Sequence, residues 1–293
     1  MSKITQALEK AARERRQREQ EHPTAGATPI TVPLAAPDGV PASSVGEIQT
    51  AGAVEIDPHI VTASDSRSPI TEQYRILRTN LQALRLRADA KTLVVTSAIQ
   101  GEGKSVTAIN LAFTLARQEH AKVVLVDADL RKSSIHRWLG LPAGTDGLST
   151  ALAHGGALNG SLVKLRSPAL TVLCSGPAPE HPAELLESAS LQRLLTVLKT
   201  QFDYIVIDTP PVLAVTDPRI LASHADGVLF VVRAGKTQRR TIIQAQAMLD
   251  QAKAPVVGCV LTHVDHYQPG YYYRYRQQEP GQHATTSAQT PVR

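Results

Sequence analysis

The sequence predicts an α/β protein with a doubly wound, mostly parallel sheet. Short runs of aliphatic, often β-branched residues recur from residue 91 onward and are almost uniformly apolar, as expected for strands buried on both faces. Segments with helical spacing separate these runs, and a strand–helix–strand repeat favours parallel pairing. Polar residues directly follow several runs, where sheets of this class bind their ligands.

The predicted elements follow from these patterns in chain order. Ser68 and Pro69 are suited to the N-cap and first position of a helix, which predicts that SPITEQYRILRTNLQALRLR is helical. Six later segments are predicted strands: TLVVTSA, KVVLVDAD, LTVLCSG, YIVIDTPP, GVLFVVRAG and VVGCVLTHVD. Three segments between them are predicted helices: SVTAINLAFTLARQ, PAELLESASLQRLLTVLKT and TQRRTIIQAQAMLDQA.

The sequence outside these elements predicts three further parts. Residues 1–22 form a predicted helix in which basic and acidic residues are interspersed. Residues 23–64, rich in Pro, Ala and Gly, are predicted to be a disordered linker with no core of its own. Residues 65–265 then form the domain, and residues 266–293 a flexible, tyrosine-rich tail.

Composition excludes several classes of protein. The two cysteines, Cys174 and Cys259, lack the spacing of a disulfide framework or a zinc site, which fits a reducing compartment. No apolar run approaches the roughly 20 residues of a membrane span, and the N-terminus lacks a signal-peptide pattern. We therefore expect a cytoplasmic protein.

The first strand end carries a phosphate-binding loop, SAIQGEGKS. Glycines allow backbone amides to surround phosphate oxygens, and the following helix adds its dipole. Lys104 is expected to reach the β and γ phosphates and Ser105 to ligate Mg²⁺. Ala98 replaces the first glycine of G-x-x-x-x-G-K-S, a mild departure. The expected nucleotide-binding residues are Gln100, Gly101, Glu102, Gly103, Lys104, Ser105 and Val106.

Two other strand ends carry carboxylates. Asp127 and Asp129 follow one buried strand, and two close carboxylates require a shared cation or proton. Asp208, after a second such strand, matches the Walker B carboxylate that holds Mg²⁺. For Asp217 a capping role is favoured over catalysis. Arg233 and Lys236 end another strand, where nucleotide contact and a solvated basic face both stay open.

Five of the seven tyrosines lie within nine residues near the C-terminus, in a polar stretch that is not a plausible core strand. The tail is predicted to be extended and mobile because it carries Pro269, Gly270 and polar flanks. The clustered tyrosines, as predicted phosphate acceptors, are Tyr267, Tyr271, Tyr272, Tyr273 and Tyr275.

Together these motifs resemble the bacterial tyrosine kinases (BY-kinases) of capsule and exopolysaccharide biosynthesis, which are P-loop NTPases. The resemblance covers residues 65–275 and depends on SAIQGEGKS, VVLVDADLR, IVIDTPP, the E-x-x-R-x-x-R helix in EQYRILRTNL and the tyrosine cluster. Gln100 stands where that family usually has proline. SKITQALEKA also resembles exosortase-associated tyrosine autokinases, and this chain lacks the membrane domain to which many relatives are fused.

The resemblance implies a tyrosine autokinase that uses ATP and Mg²⁺. Lys104 would bind the ATP phosphates, and Asp127 would orient or deprotonate the attacking tyrosine of another copy. Ser105, Asp129 and Asp208 would hold Mg²⁺. The charged helix face, Glu72, Arg75 and Arg78, would mediate homo-oligomerisation, although a solvated face with an internal Glu72–Arg75 pair is the alternative.

The same resemblance implies regulation of exopolysaccharide polymerisation or export. The expected partners are other copies of the chain, a separate membrane-embedded chain-length regulator or copolymerase that recruits it to the inner face of the cell membrane, and a cognate phosphotyrosine phosphatase.

Three other functions stay open. A partitioning or positioning ATPase shares the nucleotide motifs, but usually has a second lysine early in the loop, which TSAIQGEGKS lacks. A catalytically silent adaptor of a copolymerase would not need Lys104 and the three aspartates. Nucleic-acid binding by YYYRYR is chemically reasonable, since aromatics stack on bases, but is the least favoured.

Overall fold

The computed structural model describes residues 48–83, 90–166 and 169–264. The predicted helix at residues 1–22 and the predicted tail at residues 266–293 lie outside these ranges. Across the described ranges, no helix combines the length and apolar character needed to cross a membrane.

The described residues form one sheet flanked by helices. The strands are β1 Gln49–Thr50, β2 Thr92–Ser97, β3 Val123–Asp127, β4 Leu162–Lys164, β5 Thr171–Leu173, β6 Tyr204–Asp208, β7 Gly227–Arg233 and β8 Val256–Thr262. The helices are α1 Val61–Ser64, α2 Pro69–Ala83, α3 Lys104–Ala116, α4 Ile135–Trp138, α5 Leu148–Ala153, α6 Pro182–Glu187, α7 Ala189–Gln201, α8 Asp217–Ser223 and α9 Arg239–Gln251.

The sheet order is β1-β4-β5-β3-β6-β2-β7-β8. Every neighbouring pair is parallel except β4 and β5, which are antiparallel. The predicted doubly wound, mostly parallel fold is therefore confirmed. Because β3, β6 and β2 are adjacent and parallel, their carboxyl ends, which carry the predicted motifs, meet at one edge.

Each central strand contributes side chains to two cores, one on either face of the sheet. In β2, Val94 lies in one core and Val95 in the other, and both are fully buried. In β3, Val124 and Leu125 alternate in the same way. A slip of one residue would exchange the two faces, so this packing specifies the register that holds the strand ends in place.

The linker prediction was wrong for residues 48–64. Ile60 is completely buried in one core, and β1 pairs with β4 at the sheet edge. Thr62 donates a hydrogen bond from its hydroxyl to the side-chain oxygen of Asn110 at 3.0 Å. A Pro-containing segment that lacks its own core can still pack on a neighbouring one, so the folded domain begins earlier than residue 65.

Two helix predictions also differ in detail. PAELLESASLQRLLTVLKT forms α6 and α7 rather than one helix, because Ser188 between them has an extended backbone (φ −68°, ψ 153°). In α2, Tyr74 and Leu77 pack on the core as expected, but Ile70 on the predicted apolar face is 54% exposed. Ile70 lies in the first turn of α2.

Candidate active site

The predicted phosphate loop connects β2 to α3 and opens into a cleft of about 990 Å³. Gly101 and Gly103 have positive φ angles of 81° and 88°, a conformation that glycine adopts without steric cost. Gly103 is the N-cap of α3, so the amide groups of the first turn face the cleft. Six of the seven predicted nucleotide-binding residues line it: Gln100, Gly101, Gly103, Lys104, Ser105 and Val106.

Glu102 is the exception, since its side chain is buried beneath the loop. Its carboxylate accepts a hydrogen bond from the Ile99 amide at 2.9 Å and another from the Thr237 hydroxyl. Its backbone carbonyl accepts a bond from the Thr262 hydroxyl at 2.7 Å. Glu102 therefore braces the loop against the ends of β7 and β8, a structural task that the motif alone does not indicate.

Asp127 and Asp208 are cross-strand partners at the carboxyl ends of β3 and β6. Asp127 is almost fully buried and accepts three backbone N–H bonds, from Asp129, Ser134 and Ile135, at 3.1–3.2 Å. Burial, and next the charge of Asp208, nevertheless raise its pKa to about 7. Asp127 therefore organises the loop after β3 and can accept a proton near neutral pH.

Asp208 is completely buried, and within the described part of the chain neither carboxylate oxygen has a hydrogen-bond partner. Burial raises its pKa to about 6, although the charge of nearby Lys104 and the Ser105 hydroxyl act in the opposite direction. An unpartnered buried carboxylate is costly unless a cation joins it. The oxygen donors of Asp208, Ser105 and Asp129 at one strand edge fit a hard divalent cation such as Mg²⁺.

Lys104 and Asp129 lie on the cleft surface. The Lys104 ammonium is 3.3 Å from the Ser105 hydroxyl and 3.6 Å from an Asp129 carboxylate oxygen. The other Asp129 oxygen accepts the Lys132 amide at 2.9 Å, which fixes the side chain toward the loop. The structure thus brings together all four predicted catalytic residues, from three separate strand ends.

Asp217 has a role that the sequence did not indicate. It is fully buried in the first turn of α8, and its two carboxylate oxygens accept hydrogen bonds from the Arg131 guanidinium at 2.9 and 3.0 Å. The N-cap position belongs to Thr216, so the capping prediction for Asp217 was wrong. The bidentate pair links the loop after β3 to the start of α8.

The remaining predicted residues lie apart from the cleft or beyond the described ranges. Arg233 and Lys236 are not among the cleft-lining residues, and the Arg233 backbone amide donates to the Glu102 carboxylate at 3.4 Å. All five tail tyrosines lie outside the described residues.

The charged face of α2 makes contacts within the chain. Arg75 donates to Glu72 at 2.7 Å and to the Ser66 carbonyl at 2.8 Å. Arg78 donates to the Thr114 carbonyl at 3.2 Å. The internal Glu72–Arg75 pair is therefore present, and both side chains stay about one third exposed at 29% and 37%.

Comparison with known proteins identifies the family. Residues 89–269 match the ParA family model described as NUBPL iron-transfer P-loop NTPase. The chain is 36% identical to tyrosine-protein kinase YwqD of Bacillus subtilis, over 73% of this chain and 91% of that protein. The chain belongs to the bacterial tyrosine kinases, within the ParA-type P-loop NTPases. The resemblance stated from the motifs is therefore confirmed.

Solved structures support the assignment. The chimerical protein CapA2B2 has a TM-score of 0.65 at 30% identity, covering 73% of this chain and 93% of the chimera. The kinase domain of Escherichia coli tyrosine kinase ETK has a TM-score of 0.67 at 27% identity, covering 72% and 82%. This BY-kinase is thus a protein-tyrosine kinase whose P-loop domain binds nucleotide.

Proposed function

We propose that this BY-kinase transfers phosphate from ATP to its own C-terminal tyrosine cluster, one copy acting on another, and thereby regulates exopolysaccharide polymerisation or export. The observation that carries the proposal is that Lys104 and Asp129 line the cleft at the phosphate loop, while Asp127 and Asp208 pair at the adjoining strand ends. A tail with five clustered tyrosines supplies acceptors on the same chain.

In the proposed reaction, the loop amides and Lys104 bind the triphosphate and neutralise the charge that grows on the β and γ oxygens. Ser105, Asp129 and Asp208 would hold Mg²⁺, which when bound supplies further charge neutralisation. Asp127, whose pKa is raised to about 7, receives the phenol proton or orients the hydroxyl. A tyrosine has an ordinary pKa near ~10, so it needs such a base at neutral pH.

The buried Asp127 leaves Asp129 as the carboxylate that faces the cleft directly. Asp129 is therefore the nearer of the two to an incoming phenol, and the division of roles between them is part of the proposal. Replacement of each by Asn separates the roles. The variant that has lost a metal ligand should need a higher Mg²⁺ concentration for half its maximal rate, and the variant that has lost the base should lose the acidic limb of the pH–rate profile.

Transfer between copies is tested by mixing two complementary variants, neither of which can label itself. One protein carries Lys104→Met and keeps its tyrosines, and the other carries all five tail Tyr→Phe changes and keeps its active site. Incubation with labelled ATP and Mg²⁺ should place phosphotyrosine on the Lys104→Met chain. If wild type labels well and the mixture does not, transfer between copies is ruled out.

We also propose that a separate membrane-embedded chain-length regulator or copolymerase recruits the kinase, that copies associate through Glu72, Arg75 and Arg78, and that a cognate phosphatase reverses the modification. The partly exposed α2 face supports association, because both members of its Arg–carboxylate pair remain accessible to a second copy.

Recruitment predicts that the chain sediments with membranes only when the partner is co-expressed. A chain that stays in the supernatant with the whole export locus present would contradict it.

A further inference from the structure

The cleft carries more positive charge than the phosphate loop needs. Its far wall is formed by the loop after β3 and by α4, and it includes Lys132 and Arg137, both exposed. In the described part of the chain, neither side chain has an ion-pair or hydrogen-bond partner. The charged residues that line the cleft are Asp57, Lys104, Asp129, Arg131, Lys132, His136 and Arg137.

The other charges in the cleft are already matched. Lys104 lies near Asp129, and Arg131 is paired with Asp217. Asp57 is held by its contact with His59. Burial, and next the charge of Arg137, lower the pKa of His136, so His136 adds no positive charge at neutral pH. Lys132 and Arg137 are left as two unmatched cations facing the same space.

Lys132 and Arg137 lie on a different wall of the cleft from the phosphate loop. The loop that carries them follows β3, and β6 lies between β3 and β2, the strand that leads into the phosphate loop. The two loops meet at Asp129, where one carboxylate oxygen is 3.6 Å from the Lys104 ammonium and the other accepts the Lys132 amide at 2.9 Å. In the proposed reaction the phenol approaches Asp127 and Asp129, so Lys132 and Arg137 belong to the wall that would meet the acceptor chain.

The acceptor sequence supplies a matching anion. Tyr271, Tyr273 and Tyr275 alternate along the tail, whereas Tyr272 is out of phase with them. In an extended bound segment, residues two apart point to the same side and are about 7 Å apart. Once one tyrosine of the alternating set is modified, it carries about −1.5 to −2 charges beside the next acceptor.

We propose that Lys132 and Arg137 bind a phosphotyrosine two residues from the acceptor tyrosine, so that each phosphorylation of the alternating set promotes the next. The proposal rests on the proposed function, since it assumes that the tail of a second copy enters this cleft. It makes the two cations specificity-determining residues for a phosphorylated acceptor. They bind the phosphate by charge-assisted hydrogen bonds, which are stronger than neutral ones.

The test uses the full chain with all five tail Tyr→Phe changes as enzyme and peptides of residues 266–280 as acceptors. Tyr275 is the sole acceptor, and Tyr273 is either phosphorylated or changed by Tyr273→Phe. We expect kcat/KM to be about tenfold higher for the phosphorylated peptide, a typical effect of charged contacts. A third peptide carries the phosphate on Tyr272 instead, and an equal gain there would overturn the alternation argument.

A charge-matched pair of enzyme variants locates the effect. Lys132→Gln/Arg137→Gln should reduce the tenfold preference to about onefold without raising the KM for ATP. Arg239→Gln/Arg240→Gln removes the same charge from exposed positions at the start of α9 and should keep the preference. If the Lys132/Arg137 variant keeps the preference, or raises the KM for ATP instead, the inference is wrong.

A binding measurement keeps the inference separate from catalysis. A labelled peptide with Tyr273 phosphorylated and Tyr275→Phe cannot be turned over, and its affinity for the same enzyme is read by fluorescence anisotropy. Tighter binding that depends on Lys132 and Arg137 supports the inference even if no phosphate transfer occurs. A lack of phosphate transfer would count against the proposed function alone. Equal affinity with and without the phosphate overturns the inference whatever the activity.

Discussion

The buried, unpartnered carboxylate of Asp208 makes a testable prediction about stability. Its pKa is raised from 3.8 to about 6 in the folded protein, so its charged form destabilises the nucleotide-free fold. A shift of about 2 units corresponds to roughly 3 kcal/mol at pH 8, where the group is ionised in both states. Below pH 6 the folded state takes up the proton first, so the penalty shrinks to about half by pH 5 and vanishes below the unfolded pKa.

Asp208→Asn removes this titration. The amide carries its own burial cost, but that cost does not change with pH, so the informative quantity is the difference in free energy of unfolding between variant and wild type. The variant should gain about 1.5 kcal/mol relative to wild type between pH 5 and pH 8. Loss of the Asp208 charge also relieves Asp127, whose pKa it raises, and this acts in the same direction.

Urea unfolding of the nucleotide-free chain at pH 5, 6, 7 and 8 measures the difference. Asp226→Asn is the matched control. Partial burial raises the Asp226 pKa, but hydrogen bonds from Thr92, Lys91 and Lys199 outweigh it and lower the pKa overall. Its charged form is therefore stabilising above the unfolded pKa, so the Asn variant should show a loss of stability that stays constant from pH 5 to pH 8.

Ligand binding should stabilise wild type more than Asp208→Asn. At a hundredfold excess over Kd, Mg²⁺ and ADP should stabilise wild type by about 2.7 kcal/mol, and Asp208→Asn by much less, because the variant lacks the carboxylate proposed to hold the cation. If the difference between variant and wild type does not change with pH, the electrostatic argument for Asp208 fails. If both proteins gain equally from Mg²⁺ and ADP, the metal assignment fails.

Three further predictions concern activity and assembly. Lys104→Met should lower autophosphorylation by at least a hundredfold, because one lost contact to the charge that develops in the transition state costs several kcal/mol. The circular dichroism spectrum should stay unchanged, and labelling at the wild-type level would disprove the phosphate-loop assignment. Asp217→Ala removes the partner of Arg131 and should lower kcat about tenfold or more with little change in the KM for ATP. The reason is that the loop after β3 loses its position, whereas the contacts to the nucleotide remain. An unaltered kcat would show that the pair is only structural. Light scattering should show a smaller mass after combined alanine substitution of Glu72, Arg75 and Arg78, and a wild-type mass would mean that this face does not mediate association.

Much of the fold could be predicted because its signals are local. Buried parallel strands need near-continuous apolar runs, and β3 and β6 carry them in VVLVDAD and YIVIDTPP. The phosphate loop is equally local, since one short segment supplies its glycines, Lys104 and Ser105. Strand order in a doubly wound sheet then implies that the motifs share an edge, which is why the candidate site residues were accessible to reasoning from sequence.

What the sequence did not determine depends on contacts between distant residues. Arg131 and Asp217 are 86 positions apart, and nothing near Asp217 distinguishes a buried ion-pair partner from a helix cap. Glu102 lies inside the loop motif, yet its side chain faces Thr237, 135 residues away, instead of the cleft. Residues 48–64 have too few apolar side chains to form a core alone, and Ile60 is instead buried in a core formed largely by α3 and the sheet. Composition and periodicity report what a segment can bury by itself, whereas the partner it meets is decided by the tertiary structure.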